Sequence, residues 1–204
     1  MPSIGITGGI STGKTSFCES LRAIIPAATF FDADQAAHQL VDLDPDVKKE
    51  IRAEFGAEVF LADGNLNREK LRTIVFSSAA KKRALEKILH PRIRRQWSAE
   101  AETHRNSPKF FFADIPLLYE TSAENLCDRV VVVACSWPIQ LRWLMQRASL
   151  KRSEAEQMIN SQMPLDEKIR RADHVVWNNG PRAALEHQAR LLIAFWQHQL
   201  WTKS

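Results

Sequence analysis

Apolar residues follow two patterns along this chain. Short continuous runs predict buried strands, and five such runs occur, at about residues 4–7, 27–31, 109–114, 129–134 and 173–177. In other segments apolar residues recur every three or four positions, as Phe17, Leu21 and Ile24 do, which predicts amphipathic helices. Strands that alternate with helices predict an α/β fold, with three layers built around a five-stranded parallel sheet.

One long segment, at about residues 56–105, carries no strand signal and predicts a helical lobe inserted between two strands. Within it, Leu85, Ile88 and Leu89 form an apolar stripe on a predicted helix. His90-Pro91 predicts a kink or a boundary in that helix, because proline lacks the N–H of a helical hydrogen bond. We expect the lobe to belong to a single domain that spans residues 1–204.

The chain after the fourth strand is helical apart from the last strand. Two polar helices predict a mobile lid at about residues 138–166, with Ser153 as N-cap and Glu156 completing a capping box. The final helix, about residues 183–201, carries apolar residues that we expect to cover one face of the sheet: Leu185, Leu191, Leu192, Phe195 and Trp196. Trp196 and Trp201 belong either to this core or to a subunit contact. Core packing is favoured, so we expect a monomer and leave self-association open.

The first strand leads directly into Gly8-Gly9-Ile10-Ser11-Thr12-Gly13-Lys14-Thr15, which fits the phosphate-binding pattern G-x-x-x-x-G-K-[ST]. Backbone N–H groups of such a loop converge on an anion, and the following helix aims its positive end at the same point. Lys14 can reach the outer phosphates of a nucleotide, and the Thr15 hydroxyl can ligate Mg²⁺. A chance match is the alternative, but the strand before the loop and the helix after it favour a P-loop NTPase fold.

Composition adds limits rather than a function. The formal charge of +4 suits a polyanionic small ligand, and no run of Lys and Arg is long enough to predict nucleic-acid binding. Cys18, Cys127 and Cys135 form no C-x-x-C pair, so we expect neither disulfides nor a zinc site, but a reducing compartment. No apolar stretch approaches about 18 residues, so we expect a cytoplasmic protein that is not in the membrane.

Asp32 and Asp34 follow the second strand, at the sheet edge where ligands of open α/β sheets bind. Phosphoryl transfer to an alcohol needs a group that accepts the hydroxyl proton and acids that hold Mg²⁺. Two carboxylates two residues apart could supply both roles. Either one could instead be the N-cap of the following helix.

Two further features bear on the type of phosphate chemistry. The predicted lid carries Arg142, Arg147, Lys151 and Arg152, which suit closure over phosphates but could equally form a solvated basic face. The base-reading motif N-K-x-D of GTPases is absent. The acid of a Walker-B strand is either Asp114, at the end of the third strand, or the Asp32/Asp34 pair. These features favour a small-molecule kinase over a nucleotide-dependent switch.

These motifs together resemble those of the dephospho-coenzyme A kinase family. The P-loop is shared by many kinases, whereas the other elements, in this order, are far more specific. The resemblance extends to about Gly180 and rests on Thr7–Thr15, Asp32–Asp34, Asp63–Arg68, Leu89–Ile93, Asp114–Leu118 with Glu120, Gln140, Arg142, Arg147, Gln162–Leu165, Lys168, Ala172-Asp173 and Asn178–Gly180.

The resemblance implies ATP-dependent phosphorylation of the ribose 3′-hydroxyl of dephospho-coenzyme A. It implies that Asp34 is the base and that Asp32 assists near Mg²⁺. It further implies that the loop binds the ATP phosphates through Gly8, Ser11, Thr12, Gly13, Lys14, Thr15 and Ser16. Arg142 and Arg147 are implied to belong to the lid, and Asn178 to lie near the adenine. The residues implied to help form the acceptor pocket are His90, Pro116, Leu117 and Leu118. Considered alone, His90 before Pro91 is more often a structural cap than a catalyst.

Three positions depart from the family pattern. Ser11 stands where glycine is usual, and a positive φ there would cost about 1 kcal/mol. Tyr119 replaces a common phenylalanine, and Met158 replaces a lid arginine of many members. A kinase for another nucleoside or nucleotide acceptor is the alternative function, and a slowly hydrolysing nucleotide switch is a third.

Overall fold

A five-stranded parallel sheet is the centre of the computed structural model, which describes residues 3–105 and 107–201. The strands lie in the order β2-β3-β1-β4-β5. Their bounds are β1 Ser3–Gly8, β2 Thr29–Asp32, β3 Phe111–Asp114, β4 Arg129–Ala134 and β5 His174–Trp177. β1 pairs in parallel with both β3 and β4, so the chain enters the phosphate loop from the middle of the sheet. The predicted α/β fold class is confirmed.

Helices account for most of the remaining chain. They are α1 Lys14–Ile24, α2 Ala33–Leu43, α3 Pro45–Phe55, α4 Arg68–Ser77, α5 Ala79–His104, α6 Trp137–Ala148, α7 Arg152–Asn160, α8 Leu165–Arg171 and α9 Arg182–Trp201. Single 3₁₀ turns occur at Ala57–Val59 and Glu124–Leu126. Among the described residues, no helix is both long and apolar enough to cross a membrane.

The chain divides into two compact units. The first contains the described residues of 1–31 and 100–204, and includes β1, β3, β4 and β5. Its core joins the apolar side chains of β1 and β4 to one face of α1 and one face of α9. Trp196 is 2% exposed in this core, which confirms the predicted core position, whereas the side chain of Trp201 lies outside the described residues.

Two residues of α9 lie elsewhere than predicted. Leu191 and Phe195 were expected to cover the sheet, but they are 56% and 47% exposed. The buried stripe of α9 runs through Leu185, Ala189, Ile193 and Trp196. Leu191 and Phe195 fall outside this spacing of three and four residues, so helix periodicity turns them away from the core.

The second unit, Asp32–Ala99, has its own core and begins earlier in the chain than the predicted lobe. Apolar side chains of α2, α3, α4 and α5 form this core, and the predicted stripe of Leu85, Ile88 and Leu89 belongs to it. Of the two alternatives predicted at His90-Pro91, the boundary is wrong, because α5 continues through Pro91 as one helix, and the kink stays a prediction. Packing of this stripe outweighs the one hydrogen bond that proline removes.

The start of α7 also differs from the prediction. Ser153 is the second residue inside the helix rather than its N-cap, and Lys151 occupies the cap position. The carboxylate of Glu154 accepts a hydrogen bond of 2.8 Å from the Lys151 N–H. This hydrogen bond from Lys151 to Glu154 is one half of a capping box, and it favours a start of α7 before Ser153.

Candidate active site

The loop between β1 and α1 has the backbone of an anion-binding turn. Gly13 is the N-cap of α1, with φ of 92°, and no side chain caps the helix. The first-turn N–H groups therefore lack side-chain acceptors, and together with the helix dipole they favour an anion. Lys14 begins α1, and the exposed Thr15 follows it. This arrangement is the one that binding of nucleotide phosphates requires.

Thr12 shapes this loop from inside. Its side chain is fully buried, and its hydroxyl donates to the Gly9 carbonyl at 2.9 Å. A Cβ on Gly8 would lie 2.8 Å from that hydroxyl and 2.4 Å from the Val133 carbonyl, so only glycine fits there. Thr12 therefore supports the loop through its side chain. Ser16 lies in the first turn of α1 and is half-buried.

Ser11 adopts the left-handed conformation, with φ of 56°. For a residue with a Cβ this conformation costs about 1 kcal/mol, as the sequence predicts for a position that is usually glycine. The Ser11 hydroxyl oxygen is also buried and makes no hydrogen bond to any described residue. The loop therefore carries both a backbone strain and an unsatisfied hydroxyl at the same residue.

Lys14 and Asp114 form an ion pair at the base of the loop. Asp114 is the last residue of β3, opposite Ile6 of β1, and is 7% exposed. The thiol of Cys18 donates to its other carboxylate oxygen at 3.4 Å. Burial raises the pKa of Cys18, with Asp114 adding to the shift, so this thiol stays protonated and can donate. The structure therefore places an acid on β3 beside the P-loop lysine, the first of the two Walker-B alternatives.

Two glutamines hold the peptide groups of Ile10 in this loop. Gln140 of α6 donates to the Ile10 carbonyl at 2.8 Å, and Gln162, after α7, accepts from the Ile10 N–H at 2.9 Å. Since Gln140 lies near the start of α6 and Gln162 follows α7, both ends of the predicted lid are bonded to the same loop residue.

Asn178 is buried against the same loop. Its side-chain amide donates to the Thr12 carbonyl at 3.1 Å, and a Cβ on Gly13 would lie only 2.0 Å from that amide nitrogen. Asn178 thus fixes the glycine that caps α1. Its predicted place near the adenine stays a prediction.

The two helices predicted to form a lid, α6 and α7, pack on each other through a small apolar cluster that includes Ile10 of the loop. Met158 contributes to this cluster, which explains an apolar residue at that position. Arg142 and Arg147 are exposed, and neither has an ion-pair partner among the described residues. Arg152 instead pairs with Glu156 at 2.8 Å. Arg142 and Arg147 are therefore better placed than Arg152 to receive an external anion.

The loop after β3 is bonded to the end of β1, which leads into the phosphate loop. The Thr7 hydroxyl donates to the Pro116 carbonyl at 3.0 Å. Pro116 and Leu117 are half-buried, whereas Leu118 is fully buried and would lie 3.2 Å from a Cβ on Gly5. Any contact of this loop with an acceptor therefore comes from Pro116 and Leu117 more readily than from Leu118.

The remaining predicted site residues lie in the second unit. Asp32 is the N-cap of α2 and accepts from the Gln35 N–H at 3.0 Å, which confirms the capping alternative for this residue. Asp34 is exposed in the first turn of α2. His90 is half-buried within α5, and burial lowers its pKa, so it is neutral at pH 7.

Three residues with long-range roles were not recognised from the sequence: Gln140, Gln162 and Lys168. Each was noted as part of a motif, but nothing in the local pattern predicts its bonds to the phosphate loop. Lys168 lies in a helix of mixed charges, where a solvated lysine is the ordinary expectation. Its full burial in the structure is the only signal that identifies it.

Comparison with known proteins decides the family. Residues 2–183 match the family model described as dephospho-CoA kinase. A dephospho-CoA kinase of Bacillus cereus is 37% identical over 195 residues, which cover 95% of this chain and 96% of that protein. A dephospho-CoA kinase of Listeria monocytogenes is 41% identical over 179 residues, which cover 86% and 88%. This chain belongs to the dephospho-CoA kinase family.

Solved structures agree with this assignment. The crystal structure of TT1252 from Thermus thermophilus has a TM-score of 0.76 and 31% identity, covering 95% of this chain and 96% of that one. A dephospho-CoA kinase from Campylobacter jejuni has a TM-score of 0.67 and 26% identity, with the same coverage. A shikimate kinase from Acinetobacter baumannii, at a TM-score of 0.57, 12% identity and coverage of 98% and 94%, shares the fold alone.

Membership of the dephospho-CoA kinase family makes this chain a kinase, and so a nucleotide-dependent phosphotransferase. The resemblance stated from the sequence motifs is confirmed. The geometry of the phosphate loop agrees with that membership, because the loop presents helix N–H groups and a lysine where a nucleotide phosphate binds.

Proposed function

We propose that this chain transfers the γ-phosphoryl group of ATP to the ribose 3′-hydroxyl of dephospho-coenzyme A, giving coenzyme A and ADP. The observation that carries the proposal is the family match over residues 2–183. Relatives named dephospho-CoA kinase cover most of the chain, so the match includes both the phosphate loop and the second unit.

On the donor side, the first-turn N–H groups of α1 and the Lys14 ammonium bind the β- and γ-phosphates. Lys14 moves from Asp114 to the phosphates, since its ammonium can donate to either. Arg142 and Arg147 of the lid add positive charge around the transferred group. These charges stabilise the transition state more than the bound substrates, because negative charge develops on the bridging oxygen of ADP as its bond to phosphorus breaks.

On the acceptor side, Asp34 takes the proton of the 3′-hydroxyl. The 3′-oxygen attacks the γ-phosphorus in line, the bond from phosphorus to the bridging oxygen breaks, and ADP leaves with that electron pair. Asp34 suits this role because it is exposed and follows directly on the carboxyl end of β2. Asp32 fixes the first turn of α2 as its N-cap and thereby orients Asp34. His90, Pro116, Leu117 and Leu118 are proposed to shape the acceptor pocket.

The residues present also fit a magnesium ion. Mg²⁺ binds through one or two protein oxygens, with phosphates and waters as its other ligands. The exposed Thr15 hydroxyl and the carboxylates of Asp32 and Asp114 are oxygen donors of this kind, and no group of three metal-binding side chains occurs among the described residues. When bound, the ion neutralises charge on the β- and γ-phosphates.

We also propose roles for the helical segments, a cellular setting and an oligomeric state. The helical segment within Asp32–Ala99 serves as the acceptor lobe, and α6 with α7 serves as the lid. The free thiols of Cys18, Cys127 and Cys135 support a reducing, cytoplasmic setting. The buried Trp196 supports a monomer, because it is used in the chain's own core.

An acceptor panel tests this function. ADP release is followed with ATP and Mg²⁺ in the presence of dephospho-coenzyme A, of nucleosides, or of nucleoside monophosphates. The proposal expects a strong stimulation by dephospho-coenzyme A alone. Stimulation only by another nucleoside or nucleotide would establish the alternative acceptor, and release that is independent of every acceptor would indicate a hydrolysing switch.

A further inference from the structure

Lys168 is a fully buried lysine in α8. Removing an ammonium group from water costs several kcal/mol unless charges and hydrogen-bond acceptors replace the lost solvent. A buried lysine in a short helix of otherwise half-buried or exposed residues therefore requires an explanation from its contacts.

The Lys168 ammonium has three acceptors from two parts of the chain. It lies 3.1 Å from the carbonyl of Gly8, 3.2 Å from the carbonyl of Pro116 and 2.8 Å from a carboxylate oxygen of Glu120. An ammonium group has three donors, so these acceptors use its full capacity. Gly8 begins the phosphate loop, and Pro116 and Glu120 lie on the loop that follows β3.

The partners of Lys168 are connected to one another and to the lid. The Pro116 carbonyl also accepts from the Thr7 hydroxyl at 3.0 Å. The carboxylate oxygen of Glu120 that pairs with Lys168 also accepts from the Met163 N–H at 3.1 Å. Met163 lies between α7 and α8, directly after the Gln162 that bonds Ile10. One ammonium thus joins the start of the phosphate loop, the loop after β3 and the return segment of the lid.

We propose that Lys168 is a positioning residue for phosphoryl transfer, which holds the phosphate loop and the Pro116–Glu120 loop in one fixed relation. The assignment of these loops to donor and acceptor rests on the proposed function. Catalysis of in-line transfer depends on this relation, because a displacement of about 1 Å between the reacting groups can cost about 10²-fold in rate. Binding of ATP depends on it less, because the helix N–H groups and Lys14 remain.

A purely structural ion pair is the competing explanation, and kinetics can separate the two. The variant K168M keeps the length of the side chain but removes the ammonium group that two carbonyls and a carboxylate share. R170M is the matched control, since Arg170 is an exposed cation two residues away on the same helix. Both variants and the native chain are compared at a temperature where circular dichroism shows each to be folded.

Our inference expects K168M to lose about tenfold to 10²-fold in kcat, with KM for ATP changed by less than about threefold. R170M should keep the native kcat and KM. K168R should recover part of the rate, because it restores a cation but as a planar fork rather than a compact ammonium. A folded K168M with native kcat, whatever its melting temperature, would overturn the inference.

The variant E120Q covers the case in which K168M does not fold. It keeps the Lys168 ammonium and both carbonyl acceptors, and its amide oxygen can still accept from Lys168 and Met163. A lower kcat with a nearly unchanged KM for ATP in folded E120Q supports the inference. A native kcat and a native KM for ATP contradict it, even if the melting temperature is lowered. If the native chain itself shows no dephospho-coenzyme A-dependent ADP release, the proposed function fails instead. The role of Lys168 is then tested on whichever ADP release the native chain does show, with another acceptor or with water. A lower rate in folded K168M but not in R170M supports positioning, and equal rates in K168M and the native chain oppose it.

Discussion

The ammonium of Lys14 contacts the carboxylate of Asp114, so the lysine of the phosphate loop has a counter-charge within the chain itself. The pair joins the first residue of α1 to the last residue of β3. It keeps Lys14 directed at the base of the loop, and Asp114 is one of the acids proposed to hold Mg²⁺.

The variant D114N tests this relationship. We expect kcat to fall by about 10²-fold, because the amide cannot hold Mg²⁺ or its waters as a carboxylate does. The dissociation constant for ATP should stay constant or decrease, since Lys14 no longer has to leave an anionic partner. C18A is the control, because it removes only a weak thiol donor from Asp114 and should keep near-native kcat. Native kcat in D114N would exclude Asp114 from the site.

Asp34 is predicted to act on the acceptor rather than on ATP. D34N should lower kcat by about 10² to 10⁴-fold, because a general base contributes about that much, while ATP binding measured by calorimetry stays near native. D166N serves as the control, since Asp166 is an exposed acid in the first turn of another helix, α8. A D34N enzyme that turns over at nearly the native rate would remove Asp34 as the base.

Ser11 is predicted to lower stability because of its backbone. S11G should raise the free energy of unfolding by about 1 kcal/mol, since glycine adopts a φ of 56° without strain. For a chain of this size the gain corresponds to about 2–4 °C in melting temperature. S11A keeps the strained φ and removes only the hydroxyl, so its gain should be smaller. Equal effects of S11G and S11A in urea unfolding would show that the hydroxyl, rather than the backbone, is responsible.

His174 predicts a dependence of stability on pH. Its Nε2 accepts from the Trp196 indole at 3.1 Å, and burial lowers its pKa below the ordinary 6.5, against the raising effect of Asp173. The unfolded chain therefore binds a proton before the folded chain does, so stability is full above about pH 6.5 and decreases as the pH falls below it.

Urea unfolding at pH 7.5 and pH 5.5 measures this decrease. His90, whose pKa is also lowered by burial, contributes to it in the native chain. H174N should therefore show a smaller decrease than the native chain, with the difference assigned to His174. An equal decrease in both proteins would contradict the role of His174.

The parts of the molecule that local sequence determines were predicted best. A strand, a glycine loop and an amphipathic helix follow one another at Gly8 to Ile24, and neighbouring residues suffice to identify them. The positive φ of Ser11 was raised only as a condition, from the glycine that is usual at this position in the family, and the structure shows it. The continuous helix through Pro91 could not be chosen over a boundary, because tertiary packing of the stripe around Ile88 outweighs the local effect of proline.

The residues that support the phosphate loop could not be predicted from local sequence. Gln162 bonds Ile10 across 152 positions of the chain, and Lys168 bonds Gly8 across 160. Periodicity and motif spacing do not report pairs at such separation. A buried lysine and a solvated one are also the same letter, so only the three-dimensional contacts of Lys168 distinguish them.

The product of the reaction tests the central claim most directly. The chain is incubated with ATP, Mg²⁺ and dephospho-coenzyme A, and the phosphorylated acceptor is isolated and located by ³¹P and ¹H NMR. The account predicts ADP and acceptor product in equal amounts, with the new phosphomonoester on the ribose 3′-oxygen and a product identical to authentic coenzyme A. A phosphoryl group on any other oxygen, or ADP formed without a phosphorylated acceptor, would contradict it.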